Sequence, residues 1–193
     1  MKLILVDRRK AKVFCILVLL MGVLFGIGEL IKGQLNPVSL MQNNIKSLKE
    51  YKVLDGKLSY QLPSGWECRL KSFPGNQIIY HNEFVSKDMS ISGFVQVWNE
   101  KKDLKTFLDN SKTYSEKQNK IKNYEIKEVS INGSQGYYTN YTMKVNEREY
   151  IASEYFIKYK KGFIRFSFFN NKENYKGDMK GLYDAILKTI KLK

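Results

Sequence analysis

The chain of 193 residues contains one histidine and two cysteines, so it has little of the chemistry that zinc and thiol sites need. Cys15 lies in a long apolar run and Cys68 stands alone in the remainder, so we expect no disulfide within the chain. One histidine and one such cysteine also cannot form the usual four-ligand zinc site of nitrogen and sulfur. No D-x-D-x-D spacing supports a calcium site. We therefore expect no metal and no cofactor.

A recognisable nucleophile motif is also missing. His81, Asp88 and either Ser90 or Ser92 can be drawn as a triad, but no G-x-S-x-G turn presents a serine. A histidine in a strand beside a turn is more typical of a surface or hydrogen-bonded structural residue. We therefore expect no catalytic residues and no enzyme activity. A hydrolase of the cell envelope remains the alternative from the enzyme class.

One long apolar run is present, from Val13 to Ile31, with Glu29 as its single charge. As an α-helix at ~1.5 Å per residue it reaches roughly 28 Å, close to the ~30 Å hydrocarbon core of a bilayer. Basic residues crowd the segment that precedes it, and the positive-inside rule places that segment in the cytoplasm. We therefore predict a basic cytoplasmic tail at 1–12 and a single-pass helix of the cell membrane at 13–31, with the remainder outside.

Two other kinds of N-terminal segment share parts of this pattern. A cleaved signal peptide ends at a small-x-small site, and Gly26-Ile27-Gly28 is one, so a secreted form stays open. The apolar run is longer than the roughly 7–15 residues of a signal-peptide core, which favours an anchor. A bacterial lipoprotein needs a cysteine after the apolar run, whereas Cys15 lies at its start.

The net charge of +14 is spread along the chain, with +4 in residues 1–32 and +10 in the rest. Such a field attracts anionic partners, among them lipid headgroups and acidic envelope polymers. A lysine-rich composition that serves only solubility is the alternative. The segment KGFIRFSF (Lys161–Phe168) partly matches an RNA-recognition strand, but Arg165 stands where a stacking aromatic belongs. Alternation in a strand explains the segment, and we expect no nucleic-acid partner.

The segment at 32–54 is predicted to be a linker with a short helix. Asn36 can cap that helix and Pro37 suits its first position. Apolar and amide side chains then share one side of it: Met41, Asn44, Ile45, Leu48 and Tyr51.

From Lys57 onward, apolar and polar residues mostly alternate with a period of two, which predicts strands separated by turns. The sequence Asn132-Gly133 is a strong hairpin signal, because both residues tolerate the positive φ of a type I′ turn. The strands near 149–159 and 163–169 are apolar on both sides, which predicts a sheet covered on both faces. Helices at 104–114 and 179–190 are the expected covers. The predicted fold class is α+β, an antiparallel sheet of about six or seven strands between helices.

The order of these elements resembles a known family. The corner LPSGW (Leu62–Trp66) between two strands is followed by the strand ISGFVQVW, the helix DLKTFLDNS and the hairpin INGSQGYYTNYTM. The paired strands EYFIKYKKGFIRFSF and a closing helix complete the order. Over roughly residues 55–193 this pattern resembles the PsbP-like domain, and within that family the membrane-anchored bacterial branch.

The resemblance implies an α-β-α sandwich and a role in binding or assembly rather than catalysis. It supplies no catalytic residue set, and fold does not transmit function. The corner at Trp66 is interpreted as a feature that identifies the fold. We therefore expect a non-catalytic module outside the cytoplasm, tethered by residues 13–31, whose partner is another envelope protein or an anionic envelope polymer or headgroup.

Overall fold

The fold comes from a computed structural model that describes residues 45, 47–100, 103–118, 121–145, 147–175 and 179–193. The predicted tail, the predicted membrane helix at 13–31 and most of the predicted linker lie outside these residues. Within them, no helix has the length and apolar character needed to cross a bilayer. In chain order the elements are β1 (Leu48–Val53), β2 (Leu58–Pro63), β3 (Glu67–Leu70), β4 (Ile78–Val85), β5 (Ile91–Trp98), α1 (Leu104–Gln118), β6 (Ile121–Ile131), β7 (Ser134–Val145), β8 (Arg148–Tyr159), β9 (Gly162–Asn171), a 3-10 turn (Lys172–Asn174), α2 (Met179–Lys188) and β10 (Lys191–Leu192).

A seven-stranded antiparallel sheet is the centre of the domain. Its strand order is β3-β4-β5-β9-β8-β7-β6, so the meander of β6 to β9 joins the first half of the chain through β5 and β9. The turn between β6 and β7 has φ of 50° at Asn132 and 79° at Gly133, as the sequence predicts. The predicted antiparallel sheet of six or seven strands is therefore confirmed.

A second, three-stranded sheet has the order β1-β2-β10. β1 corrects one prediction: Leu48 and Tyr51, assigned to the end of a linker helix, lie in a strand. The strand forms because Tyr51 pairs with Tyr60, with their rings stacked 5.3 Å apart, and because Val53 is buried. The folded unit thus includes residues from Leu48 onward, ahead of the predicted boundary at 55.

One face of the large sheet packs against α2 and the small sheet. The ring of Phe168 stacks on Tyr183 of α2 at 4.0 Å, and Phe166 meets the edge of Tyr60 in β2 at 5.5 Å. Both phenylalanines and Tyr183 are almost fully buried. The helix cover predicted for this face is therefore present, and the small sheet is an additional cover that the sequence pattern did not predict.

The other face of the large sheet carries α1. Leu104 and Leu108 of the helix pack on Phe156 and Phe163. The ring of Phe107 lies 4.9 Å from that of Phe163. This helix is the second predicted cover, and it lies over the half of the sheet that contains β8 and β9.

Candidate functional site

The two ends of the large sheet differ in the structures that meet there. At one end the β4–β5 turn, the β7–β8 turn and the end of β9 lie side by side, because Val85 pairs with Ser92, and Ile91 pairs with Asn170. The first described residues join here, where the amide of Ser64 donates to the carbonyl of Ser47 at 3.0 Å. We call this the cleft end, and the end with the β6–β7 and β8–β9 turns the opposite end.

A cleft of about 680 Å³ opens at the cleft end, between the Pro63–Trp66 corner and the β4–β5 turn. Apolar side chains and small hydroxyl groups both line it. The apolar residues are Ile45, Pro63, Trp66, Ile91 and Leu182, and the polar ones are Ser47, Ser64, Ser86, Lys87, Asp88 and Ser90. This combination of an apolar wall and a few polar groups is typical of a ligand site.

Trp66 has both a structural contact and access to the cleft. Its amide donates to the carbonyl of Pro63 at 3.0 Å, which closes the corner. Its ring stacks on Phe84 at 5.1 Å, yet the side chain is only half-buried. The corner therefore packs against the core, and it also presents an indole to the cleft.

The polar side of the cleft is a self-contained hydrogen-bond cluster. Asp88 Oδ1 accepts from Ser86 Oγ at 2.7 Å, and from the amide and hydroxyl of Ser90 at 3.1 and 2.8 Å. The hydrogen bond from Ser86 is the largest of the effects that lower the pKa of Asp88. Since three donors converge on this one oxygen, Asp88 holds the turn in shape.

Met89 is the unusual residue of this turn. Its φ is 56°, a left-handed conformation in which glycine or asparagine is the usual residue. The amide of Met89 donates to the carbonyl of Ser86 at 2.8 Å, which fixes that conformation. Its side chain is 80% exposed. A residue with a strained backbone thus exposes a large apolar side chain to solvent.

His81 lies in a different network, on the sheet face that also carries α1. Trp98 Nε1 donates to Gln96 Oε1 at 2.8 Å, so the amide nitrogen of Gln96 faces His81 Nδ1, also at 2.8 Å. Nδ1 therefore accepts, and Nε2 donates to Glu83 Oε1 at 3.3 Å. The hydrogen bond from Lys71 is the largest of the effects that lower the pKa of Glu83.

The serine–histidine–aspartate triad is consequently not assembled. Both ring nitrogens of His81 are engaged by Gln96 and Glu83, whereas Asp88 is engaged by Ser86 and Ser90. His81 is also 4% exposed, with Phe73 edge-on against its ring at 5.0 Å. The contacts are those of a buried structural histidine.

A buried ion pair on the same face was not predicted. Arg165 Nε donates to Glu154 Oε1 at 3.2 Å, and Ser167 Oγ donates to the same oxygen at 2.7 Å. The guanidinium also lies over the rings of Phe94 and Phe156, at 4.9 and 5.4 Å. The sequence signal was an acidic residue in the middle of β8 and a basic residue in the neighbouring β9, each with apolar residues nearby.

Two further sequence expectations concern ligands. In the part of the chain that the structure describes, no three histidine, cysteine or acidic side chains converge as metal ligands would. The segment that partly matches an RNA-recognition strand lies in β9, where Phe163, Phe166 and Phe168 are buried. Their rings fill the core and are not available for stacking on bases.

The cleft end is what sequence analysis missed. Leu182 and Ile91 are separated widely along the chain, so only the folded sheet brings them together beside Trp66. The available signal was Met89, an apolar residue in a turn sequence.

Comparisons with known proteins concern the fold. No protein-family model matches the sequence, and no curated protein matches it. The structure is similar to that of the cyanobacterial PsbP from Synechocystis sp. PCC 6803, with a TM-score of 0.56 and 16% identity over 77% of this chain and 94% of that one. It is also similar to a protein of Bacteroides thetaiotaomicron, with a TM-score of 0.50 and 14% identity over 75% of this chain and 48% of that one.

LpqN of Mycobacterium tuberculosis, described as involved in cell envelope biogenesis, matches with a TM-score of 0.45 and 11% identity over 77% of this chain and 92% of that one. A likeness at this TM-score carries no argument about role. Identities of this size relate folds and leave activities and partners open.

Proposed function

We propose, from the premise that the chain folds as a PsbP-like domain, that it is a non-catalytic binding module of the cell envelope. Residues 13–31 tether it to the membrane, with residues 1–12 in the cytoplasm and the domain outside. The cleft beside Trp66 receives an apolar segment of an envelope partner protein. The observation that carries this proposal is the cleft itself.

The size and lining of the cleft support binding of a short apolar segment. Its volume of about 680 Å³ falls within the range of roughly 300–1,000 Å³ that is usual for ligand sites. Trp66, Ile91 and Leu182 offer apolar contact, which supplies most of the free energy of such binding. The hydroxyls of Ser47 and Ser64, 2.6 Å apart, stand at its exposed side and can exchange hydrogen bonds with a partner backbone.

The groups at the cleft favour binding over chemistry. Donors from Ser86 and Ser90 converge on Oδ1 of Asp88 and lower its pKa, which makes the carboxylate a weak base toward a substrate proton. The buried histidine lies in another network, with Gln96 and Glu83. Among the described residues, the serine hydroxyls of the cleft have no histidine partner, which fits a recognition role.

The positive charge of the chain gives weaker support to a polymer-binding role. Several lysines of the described domain form ion pairs with carboxylates, so their positive charge is largely neutralised locally. These lysines are Lys71, Lys105, Lys127, Lys144, Lys172 and Lys180. An apolar cleft predicts binding that persists in about 0.5 M salt, whereas attraction between exposed charges is screened there.

Site-specific photocrosslinking in intact cells tests this function. A benzophenone amino acid replaces Lys87 at the cleft, and a matched chain carries it at Lys127 on β6, an exposed lysine away from the cleft. We expect one defined protein adduct from position 87 that is absent from position 127. Equal adducts from both positions would contradict a specific cleft site.

The enzyme alternative has its own test. The purified full chain is assayed against esterase and peptidase substrates, with His81→Ala as the matched variant. We expect no turnover by either chain. Turnover that His81→Ala abolishes would refute the non-catalytic role and support an envelope hydrolase.

A further inference from the structure

Exposed apolar side chains gather at the ends of the large sheet. Among the described residues, four of the seven large apolar side chains that are exposed belong to the cleft end: Val85, Met89, Val145 and Tyr175. Val85 and Met89 flank the β4–β5 turn, and Val145 ends β7 at the neighbouring turn, where it pairs with Arg148. They therefore lie at the same end of the sheet, and we call Met89 and Val145, one in each turn, the apolar tips.

The two turns that carry Met89 and Val145 each contain a residue with a left-handed backbone conformation. Met89 and Glu147 both have positive φ, 56° and 64°, in their respective turns. Glycine would adopt this conformation without strain. In the isolated domain, the exposed side chain of Met89 buries little apolar area and its backbone is strained. We take this as an indication that Met89 makes a contact outside the domain.

The point where the chain enters the domain indicates that the bilayer is what the cleft end contacts. Ile45 and Ser47 line the cleft, so the preceding chain reaches the domain at the cleft end. Residues 32–44 separate this point from the predicted membrane helix, and fully extended they span at most about 45 Å. The cleft end is thus the end that such a tether holds nearest the bilayer.

The charges around the tips largely cancel. Lys144 pairs with Glu147, and Lys172 with Glu149 at 2.7 Å. Lys87 stands next to Asp88. A surface of apolar tips among balanced charges suits the interface between headgroups and acyl chains, where burial of apolar area supplies the attraction. It does not favour a purely electrostatic contact with an anionic surface.

We propose that the cleft end is a membrane-contact surface, in which Met89 and Val145 insert into the headgroup region and orient the domain with its cleft open at bilayer level. The inference rests on the membrane anchor of the proposed function. It adds an orientation: the partner segment that enters the cleft is presented close to the membrane surface.

Depth-dependent fluorescence quenching in proteoliposomes tests the orientation. The full chain, with Cys15→Ser and Cys68→Ser, receives single cysteines as Met89→Cys, Val145→Cys or Ile79→Cys. Ile79 is the matched control, because it is 49% exposed where Val145 is 44% exposed, and it lies at the opposite end. Each cysteine carries an environment-sensitive dye, and the vesicles contain phosphatidylcholine with or without lipids brominated near the headgroup.

We expect dyes at 89 and 145 to shift to the blue and to be quenched severalfold more than the dye at 79, in low and high salt alike. Equal quenching at all three positions, stronger quenching at 79, or no quenching at 89 and 145 would overturn the inference. Alkaline carbonate extraction of the same vesicles separates the two proposals. Release of the full chain would refute the anchor and the orientation together, whereas retention without quenching at 89 and 145 would refute the orientation alone.

Discussion

Replacement of Arg165 by methionine is the most informative test of the sheet face that carries α1. The side chain of Glu154 is 4% exposed and that of Arg165 is 22% exposed, so Arg165→Met leaves a buried carboxylate without its cation. Breaking a buried pair in this way costs about 3–5 kcal/mol. For a domain of this size each kcal/mol lowers the melting temperature by roughly 2–4 °C, which gives a fall of roughly 6–20 °C.

Glu154→Gln is the matched variant, and we expect it to cost less, about 1–2 kcal/mol. The amide keeps the shape of the carboxylate, and its carbonyl can still accept from Ser167. The cation left behind is partly exposed and stacked on Phe94 and Phe156. Denaturation of the full chain in detergent, followed by the fluorescence of Trp66 and Trp98, measures both variants and the double variant. Equal costs for the two single variants, or no coupling between them, would refute the reasoning.

Three further predictions concern the rest of the domain. Met89→Gly should raise the free energy of unfolding by about 1 kcal/mol, because glycine adopts positive φ without strain, and a melt no higher than that of Met89→Ala would contradict this. Gly93→Ala should prevent cooperative folding, because its Cβ would lie 1.9 Å from the carbonyl oxygen of Ser167; Gly65→Ala, with open space around it, is the tolerated control in circular dichroism melts. Burial raises the pKa of Tyr60 and of Tyr141 far above 10, so the folded state keeps both hydroxyls protonated. The unfolded chain loses these protons near pH 10, so the free energy of unfolding is unaffected by them below pH 10 and falls as the pH rises above it. Absorbance at alkaline pH should therefore show these hydroxyls ionising together with unfolding, and their ionisation at pH 10 in the folded chain would contradict the burial.

Local patterns predicted most of the fold. The alternation in β8 and β9, the hairpin at Asn132-Gly133 and the amphipathic α2 all act over short distances along the chain, and each was found where it was predicted. The likeness to cyanobacterial PsbP confirms the PsbP-like fold that the LPSGW corner and the order of elements suggested.

The errors arose where long-range pairing decides the structure. Leu48 and Tyr51 suit a helix face as well as a strand, and it is pairing with β2 that makes them β1. The two residues of β10 are too few to show a period, and they form a strand because Leu192 pairs with Leu58. The small sheet that results then covers part of the face assigned to helices alone.

The candidate site was less accessible to sequence analysis. No sequence motif favoured a triad of His81 and Asp88, and hydrogen bonds to Gln96 and Ser86 engage the two residues separately. Trp66 and Leu182 line the same cleft although they are far apart in the chain, and no local pattern encodes that arrangement. The predicted membrane helix at 13–31 remains a prediction and lies outside the described residues.

The central claim, that the cleft beside Trp66 holds a partner segment, is tested most directly by filling the cleft. Gly65 lines it, and a side chain added there meets no atom within 4 Å and needs no positive φ. Gly65→Trp should therefore block the cleft while the domain stays folded, and Gly65→Ala is the matched control. The measurement is the yield of the adduct from a photocrosslinker at Lys87 in each background. The account predicts a large loss with Gly65→Trp and little change with Gly65→Ala; an undiminished adduct with Gly65→Trp would contradict it.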